Sequence, residues 1–260
     1  MNNDLTSFSL DFFSLEGKVA IVTGANKGLG QGYAVALAKA GADIFVVARS
    51  EEWTETRELI EETGKRVEFF QADLSNRESV KQVASECLKV FGKIDILVNN
   101  AGTIRRAPIL EYREEDWDEV IEVNLNSIYL LSQEVAKIMV EQKSGKIINI
   151  ASMLSFQGGK FVPPYTASKH AVAGLTKAFA NELAEHNIQI NAIAPGYIAT
   201  ANTAEIRADE KRNAEILSRI PAGRWANPSE LMGVVVFLSS KASDYMNGHV
   251  LAIDGGWLAR

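Results

Sequence analysis

The run Thr23-Gly24-Ala25-Asn26-Lys27-Gly28-Leu29-Gly30 decides the fold. It continues the apolar, β-branched segment Val19–Thr23 and leads into helical spacing over 31–39. A strand, a glycine turn and a helix in that order suit a pyrophosphate. Glycine allows the tight turn and close backbone approach, and the helix N-terminus offers free N–H groups and a positive dipole end. Three glycines alone would suit any surface turn; their place between this strand and this helix favours a nucleotide.

Outward from that turn, short apolar runs at 44–47, 67–70, 94–99, 147–150, 188–193 and 250–253 alternate with helical patterns at 79–91 and from 116 towards 140. Nearly continuous apolar character marks strands buried on both faces, and helices between them make a parallel sheet of βαβ units. Pro164 is expected to open a further helix, since proline is tolerated in a first turn. The expected fold is α/β: a single domain over 1–260, a doubly wound parallel sheet of the Rossmann type with helices on both faces. Residues 1–17 read as an N-terminal arm whose Leu10, Phe12, Phe13 and Leu15 pack on the domain or on a neighbouring subunit. Residues 200–221 read as a polar helical insertion, a small lid over the substrate.

Composition narrows the function classes. The 260 residues are 47% hydrophobic and 23% charged, the balance of a folded globule, and the net charge of -6 supplies no basic face for nucleic acid. Cys87, the lone cysteine, shares a helical stripe with Val80, Val83, Ala84, Leu88 and Phe91, which makes it a core thiol. No Lys or Arg precedes Lys18 while Asp4, Asp11 and Glu16 do, opposite to a secretory signal, and no apolar run is long enough for a bilayer. The expected location is the cytoplasm. His170, His186 and His249 lack the spacing of metal ligands, so no metal is expected.

Tyr165 and Lys169 stand one helical turn apart; alone such a pair reads as a helix-surface pair, and only beside the glycine turn, Ser152 and Asn124 does it become the expected centre of the chemistry. Hydride transfer to a carbonyl leaves negative charge on oxygen, and the site needs a proton donor and a nearby cation. Tyr165 can donate the proton, and Lys169 on the same helix face favours the tyrosinate that the reverse reaction requires.

The spacing Thr-Gly-x-x-x-Gly-x-Gly, together with Asp73-Leu74, Asn99-Asn100-Ala101-Gly102, Asn124, Ser152, Tyr165-Thr166-Ala167-Ser168-Lys169 and Pro195-Gly196 with Thr200, resembles the short-chain dehydrogenase/reductase family over nearly the whole chain. That resemblance implies a catalytic group of Asn124, Ser152, Tyr165 and Lys169. In it Ser152 bonds the substrate oxygen, Lys169 holds the nicotinamide ribose, and Asn124 fixes a water that relays protons. It implies cofactor contacts from Gly24, Asn26, Lys27, Gly28, Leu29 and Gly30 of the turn, and from Asp73 and Leu74 at the adenine. Asn100, Ala101 and Gly102 follow, then Tyr165 and Lys169, and Pro195, Gly196, Ile198 and Thr200 line the nicotinamide. It also implies a homotetramer.

An NAD site usually carries Asp or Glu about 20 residues beyond the glycines. Here Ala48 stands at that place, followed by Arg49, so Lys27 and Arg49 could meet the 2′-phosphate of NADP(H) or remain solvated charges. The substrate side holds Arg105 and Arg106, with Gln157 and Arg207 as further candidate contacts and Arg219 and Arg224 nearby. A guanidinium fork suits a carboxylate, although two loop arginines can equally be solvated. Asn-Ala-Gly-Thr-Ile-Arg-Arg, the run 148–159, Arg207-Ala208-Asp209-Glu210, 220–225 and 254–260 are similar to the bacterial branch of the family that acts on 2-dehydro-3-deoxy-D-gluconate in uronate degradation. That likeness implies a sugar-acid substrate and favours NAD(H). Gluconate 5-dehydrogenase, or another sugar or ketoacyl reductase of the family, is the enzymatic alternative, and a non-catalytic nucleotide-binding protein the alternative of another class.

Overall fold

Successive residues of β1 (Val19–Thr23) point to opposite faces of one sheet, and both faces are apolar. Ala20 and Val22 enter a core with Tyr33 and Leu37 of α1 (Gly28–Lys39) and Val235 and Leu238 of α9 (Met232–Ser239). Val19 and Ile21 enter the other, with Val83 and Cys87 of α3 (Arg77–Phe91), Leu131 and Val135 of α5 (Ser127–Gln142), and Ala180 of α6 (Pro163–Leu183). Period-two alternation between two apolar layers explains why these strands read as continuous apolar runs. Cys87 lies in the second core, where burial pushes its thiol up to about 12.

This is a computed structural model describing residues 8–260. The remaining strands are β2 (Asp43–Ala48), β3 (Val67–Gln71), β4 (Ile96–Asn99), β5 (Gly145–Ile150), β6 (Ile188–Pro195) and β7 (Val250–Ile253). All seven are parallel in the order β3-β2-β1-β4-β5-β6-β7. The chain steps outward from β1 to β3, then returns to place β4 on the other side of β1. The crevice at such a reversal, beyond the carboxyl ends of the strands, is where open α/β sheets bind ligands.

Several boundaries differ from expectation. Ile94 is buried but precedes β4, and α6 opens at Pro163 with Pro164 second. The pattern from 116 towards 140 is two helices, α4 (Glu114–Ile121) and α5, joined by a π turn at Glu122–Asn126. α2 (Thr54–Glu61) links β2 to β3. The insertion folds as α7 (Ala204–Ala208) and α8 (Glu210–Arg219). Of the arm, residues 1–7 lie outside the described residues; beyond them Leu15 is buried and the Phe13 ring lies 6.5 Å from Phe237 of α9. Among the described residues no helix is long and apolar enough to cross a membrane.

Candidate active site

The crevice between β1 and β4 is built backbone against backbone. Thr23 Oγ1 accepts the N–H groups of Asn100 and Ala101, each at 3.0 Å, and Asn100 Nδ2 donates to the Thr23 carbonyl at 2.9 Å. A Cβ at Gly30 would collide with the Gly24 carbonyl oxygen and Asn100 Nδ2, so only glycine lets α1 start this close to the strand ends. Gly28 has φ +61°, and a Cβ there would meet nothing. Lys27 provides no side-chain cap for α1. Among the described residues the N–H groups of Gly28, Leu29 and Gly30 have no hydrogen-bond partner, so this helix N-terminus can receive an anion such as a pyrophosphate.

The loop beyond β2 is tied to this turn, with Thr56 Oγ1 donating to the Ala25 carbonyl at 3.0 Å and Asn26 Nδ2 to that of Glu52 at 3.4 Å. Lys27 and Arg49 are exposed and form no ion pair among the described residues. Asp73 has its carboxyl held below the usual range, chiefly by the Ser75 N–H, with help from the Ser75 hydroxyl and the Arg49 charge. Leu74 is buried beside it. Across the crevice, Gly196 passes so close to Asp254 that a Cβ would clash with its Cα, and its N–H donates to the Ile253 carbonyl at 2.9 Å. Ile198 bridges to Ala226, and Thr200 caps the turn into α7.

α6 presents Tyr165 and Lys169 on one face, against Ser152 two residues beyond β5. Lys169 is 4% exposed, and burial pushes its ammonium down to about 8. Its Nζ donates to the Ile150 carbonyl and lies 5.5 Å from the centre of the Tyr165 ring. Burial raises the Tyr165 phenol; the Ser152 hydroxyl and the Arg106 charge oppose that rise. At neutral pH Tyr165 therefore keeps its proton.

Asn124 sits on the π turn rather than in an unbroken helix. Its Oδ1 accepts the Thr103 N–H at 2.8 Å and its Nδ2 donates to the Thr103 carbonyl at 2.9 Å, a two-way clamp on the loop after Asn-Ala-Gly. The side chain is thus committed to the backbone.

The expected substrate arginines divide. Arg106 is exposed, forms no ion pair among the described residues and acts on Tyr165. Arg105 turns into the scaffold, bonding Glu119 at 2.8 Å and pairing with Asp116 at 3.7 Å, because α4 presents two carboxylates beneath it. Arg207 donates to the Thr200 carbonyl at 3.1 Å, and Arg224 donates two hydrogen bonds to the Glu230 carboxylate, which lowers that carboxyl to about 2. Gln157 accepts from Arg219, whose guanidinium lies 4.0 Å over Trp257.

Several residues carry weight that the motif reading did not assign. Thr23 locks the crevice. Asn99 donates to Ser132 and Asn149, and Asn149 to Thr176, a fully buried polar ladder joining α5, β4, β5 and α6. Met153, Ile216, Ile220 and Trp257 form an apolar cluster that fastens α8 to the residue following Ser152. Burial and contact, which spacing does not report, single them out.

The family pattern of the short chain dehydrogenases matches residues 18–211. The chain belongs to the short-chain dehydrogenase/reductase family. It is an NAD(P)-dependent oxidoreductase. It is 57% identical to the 2-dehydro-3-deoxy-D-gluconate 5-dehydrogenase of Bacillus subtilis over 96% of this chain and 98% of that one. The enzyme of the same name from Escherichia coli is 58% identical, over 96% and 99%. A solved Agrobacterium tumefaciens structure, provisionally assigned as a 2-deoxy-D-gluconate 3-dehydrogenase and holding NADP, superposes with a TM-score of 0.89 at 50% identity, over 95% of this chain and 99% of that one.

Proposed function

We propose that this short-chain dehydrogenase/reductase interconverts a secondary alcohol and a ketone on a sugar acid, with 2-dehydro-3-deoxy-D-gluconate, oxidised at C5, as its substrate. The observation that carries the reading is the convergence of Ser152, Tyr165 and Lys169 with an arginine, Arg106, that has charge to spare. The names of the relatives above 55% identity support the same substrate.

Each side chain has a task its setting suits. Tyr165, kept protonated by burial, donates to the developing alkoxide when a ketone is reduced and takes the proton back from the alcohol in oxidation. Ser152 accepts the Leu154 N–H at 3.1 Å, an orientation that sets its hydroxyl beside that of Tyr165, and it donates its hydrogen to the substrate oxygen. Lys169 holds the ribose of the cofactor and passes protons onward. With its side chain spent on Thr103, Asn124 holds the relay water through its backbone, at a π turn where the helical ladder is interrupted. Arg106 binds the substrate's carboxylate end while its field eases ionisation of Tyr165. The nicotinamide supplies or receives the hydride.

For the cofactor, the reading is NADP(H). Ala48 brings no carboxylate to a ribose 2′-hydroxyl, and Lys27 in the glycine turn and Arg49 just beyond β2 are exposed cations available to a 2′-phosphate. The Agrobacterium relative holds NADP. NAD(H), favoured by likeness to the uronate-degrading branch, is the competing outcome. The protein is read as a cytoplasmic homotetramer: Trp117 and Tyr129 leave apolar surface exposed on α4 and α5, which suits an interface. Light scattering at half the expected mass would refute the tetramer.

The deciding assay measures oxidation of 2-dehydro-3-deoxy-D-gluconate and of gluconate, each with NADP+ and NAD+. Faster turnover of the former with NADP+ is expected. Preference for gluconate would replace the substrate, and preference for NAD+ the cofactor. Cofactor binding without turnover of any keto-sugar acid would leave a nucleotide-binding protein.

A further inference from the structure

Ser155 touches both halves of the catalytic group. It closes the turn Met153–Ser155, which begins directly after Ser152, and it is buried. A hydroxyl has one hydrogen to give and lone pairs to receive. Ser155 gives its hydrogen to the Lys169 carbonyl at 2.6 Å and receives the Ser152 N–H at 3.3 Å. Its own N–H returns to the Ser152 carbonyl at 2.9 Å. The neighbouring Met153 packs instead against Ile216, Ile220 and Trp257, so the same turn is attached to the lid on its other side. Two tethers thus meet at Ser152, one to α6 and one to α8.

We propose that Ser155 is a positioning residue for the reaction: it fixes Ser152 against the helix bearing Tyr165 and Lys169, so that the two hydroxyls keep their spacing when the lid shifts. This rests on the catalytic reading of Ser152, Tyr165 and Lys169. A misplacement of about one ångström in such a group costs on the order of 100-fold in rate.

The test uses the full-length protein and whichever keto-sugar acid the wild type reduces. Ser155→Ala is expected to lower kcat roughly 10- to 100-fold while the KM for cofactor stays within about threefold. In a Ser152→Ala background the same change should cost less than about twofold, because residues acting as a unit are not additive. Ser155→Thr, which keeps the hydroxyl, should recover most of the rate. Unchanged kcat, or a full additional loss on top of Ser152→Ala, would overturn the proposal. If Ser155→Ala cannot be purified, Ser155→Cys carries the same comparison, since its thiol fills the space but donates weakly. Ser152→Ala and Tyr165→Phe are measured alongside. If they stay active the catalytic reading itself has failed; if they lose activity while Ser155→Ala does not, only the positioning role has.

Discussion

On the β1–β3 side of the crevice, backbone is packed against backbone; on the β4–β7 side, side chains select among several polar neighbours. Gly24 and Gly28 are required by a positive φ and Gly30 by collision with the Gly24 carbonyl and Asn100. Arg105 and Arg106 are adjacent and chemically identical, yet one pairs with Glu119 and the other stands near Tyr165. A steric demand leaves its mark on the residue type, whereas a choice between carboxylates depends on where a distant helix arrives.

The largest effect should separate the two sides. Tyr165→Phe removes one transferable proton, so kcat should fall roughly a thousandfold while the dissociation constant for cofactor is unchanged. Initial rates and a fluorescence titration of the same preparation check both halves. A cofactor affinity that collapses with the rate would show that the sides are not independent.

The next effect breaks the cofactor side from within. Gly30→Ala forces its methyl onto the Gly24 carbonyl and Asn100 Nδ2. Cofactor affinity should drop on the order of 100-fold and stability by about 1–3 kcal/mol, the cost of overpacking. Gly28→Ala meets open space and carries only the strain of a positive φ, about 1–2 kcal/mol. Calorimetric titration and thermal melts of the pair give the ranking, and equal losses in the two would mean that the close approach of α1 to β4 is not what glycine secures.

On the substrate side, Arg106→Ala should raise the KM for the acid roughly 10- to 100-fold, the worth of a charge-assisted pair. Arg105→Ala should leave KM within about threefold and lower Tm by about 2 °C, because a part-exposed ion pair contributes about 0–1 kcal/mol. A reversal of those two results would undo the division drawn between them.

Legibility followed the same line. Seven strands, their parallel direction and the glycine turn were readable because burial on both faces and steric need leave local marks; the strand order came only from the structure. Tyr165 and Lys169 were legible as a pair one helical turn apart, whereas Ser152 and Asn124 were picked out only by likeness to the family. The π turn at Asn124 was not legible, since α4, the turn and α5 share one apolar periodicity, and the bonds that Asn124 makes there reach Thr103, 21 residues away in the chain. Nor was the Gln157 bond to Arg219, which needs the lid folded back over Trp257.

The smallest expected effect concerns stability alone. Lys169 is buried with its ammonium pushed down to about 8, whereas an unfolded lysine titrates near 10.4. Below about pH 8 both states are protonated and folding bears the whole cost of the buried charge. Between about 8 and 10.4 the unfolded chain holds more protons, so this group's contribution to stability rises with pH across that window. Lys169→Met removes the charge, a gain on the order of 3 kcal/mol at pH 7, and forfeits the bond to Ile150, about 1 kcal/mol. Tm should rise by about 4–8 °C at pH 7, and the advantage should fade as pH climbs through the window. Lys27→Met, at an exposed cation of the cofactor side, should shift Tm by about 1 °C or less at either pH. An equal gain for Lys169→Met at pH 7 and above pH 10 would mean that shape rather than charge was the burden. A gain confined to the lower pH would show that the substrate side gives up stability to keep a lysine where the reaction needs one.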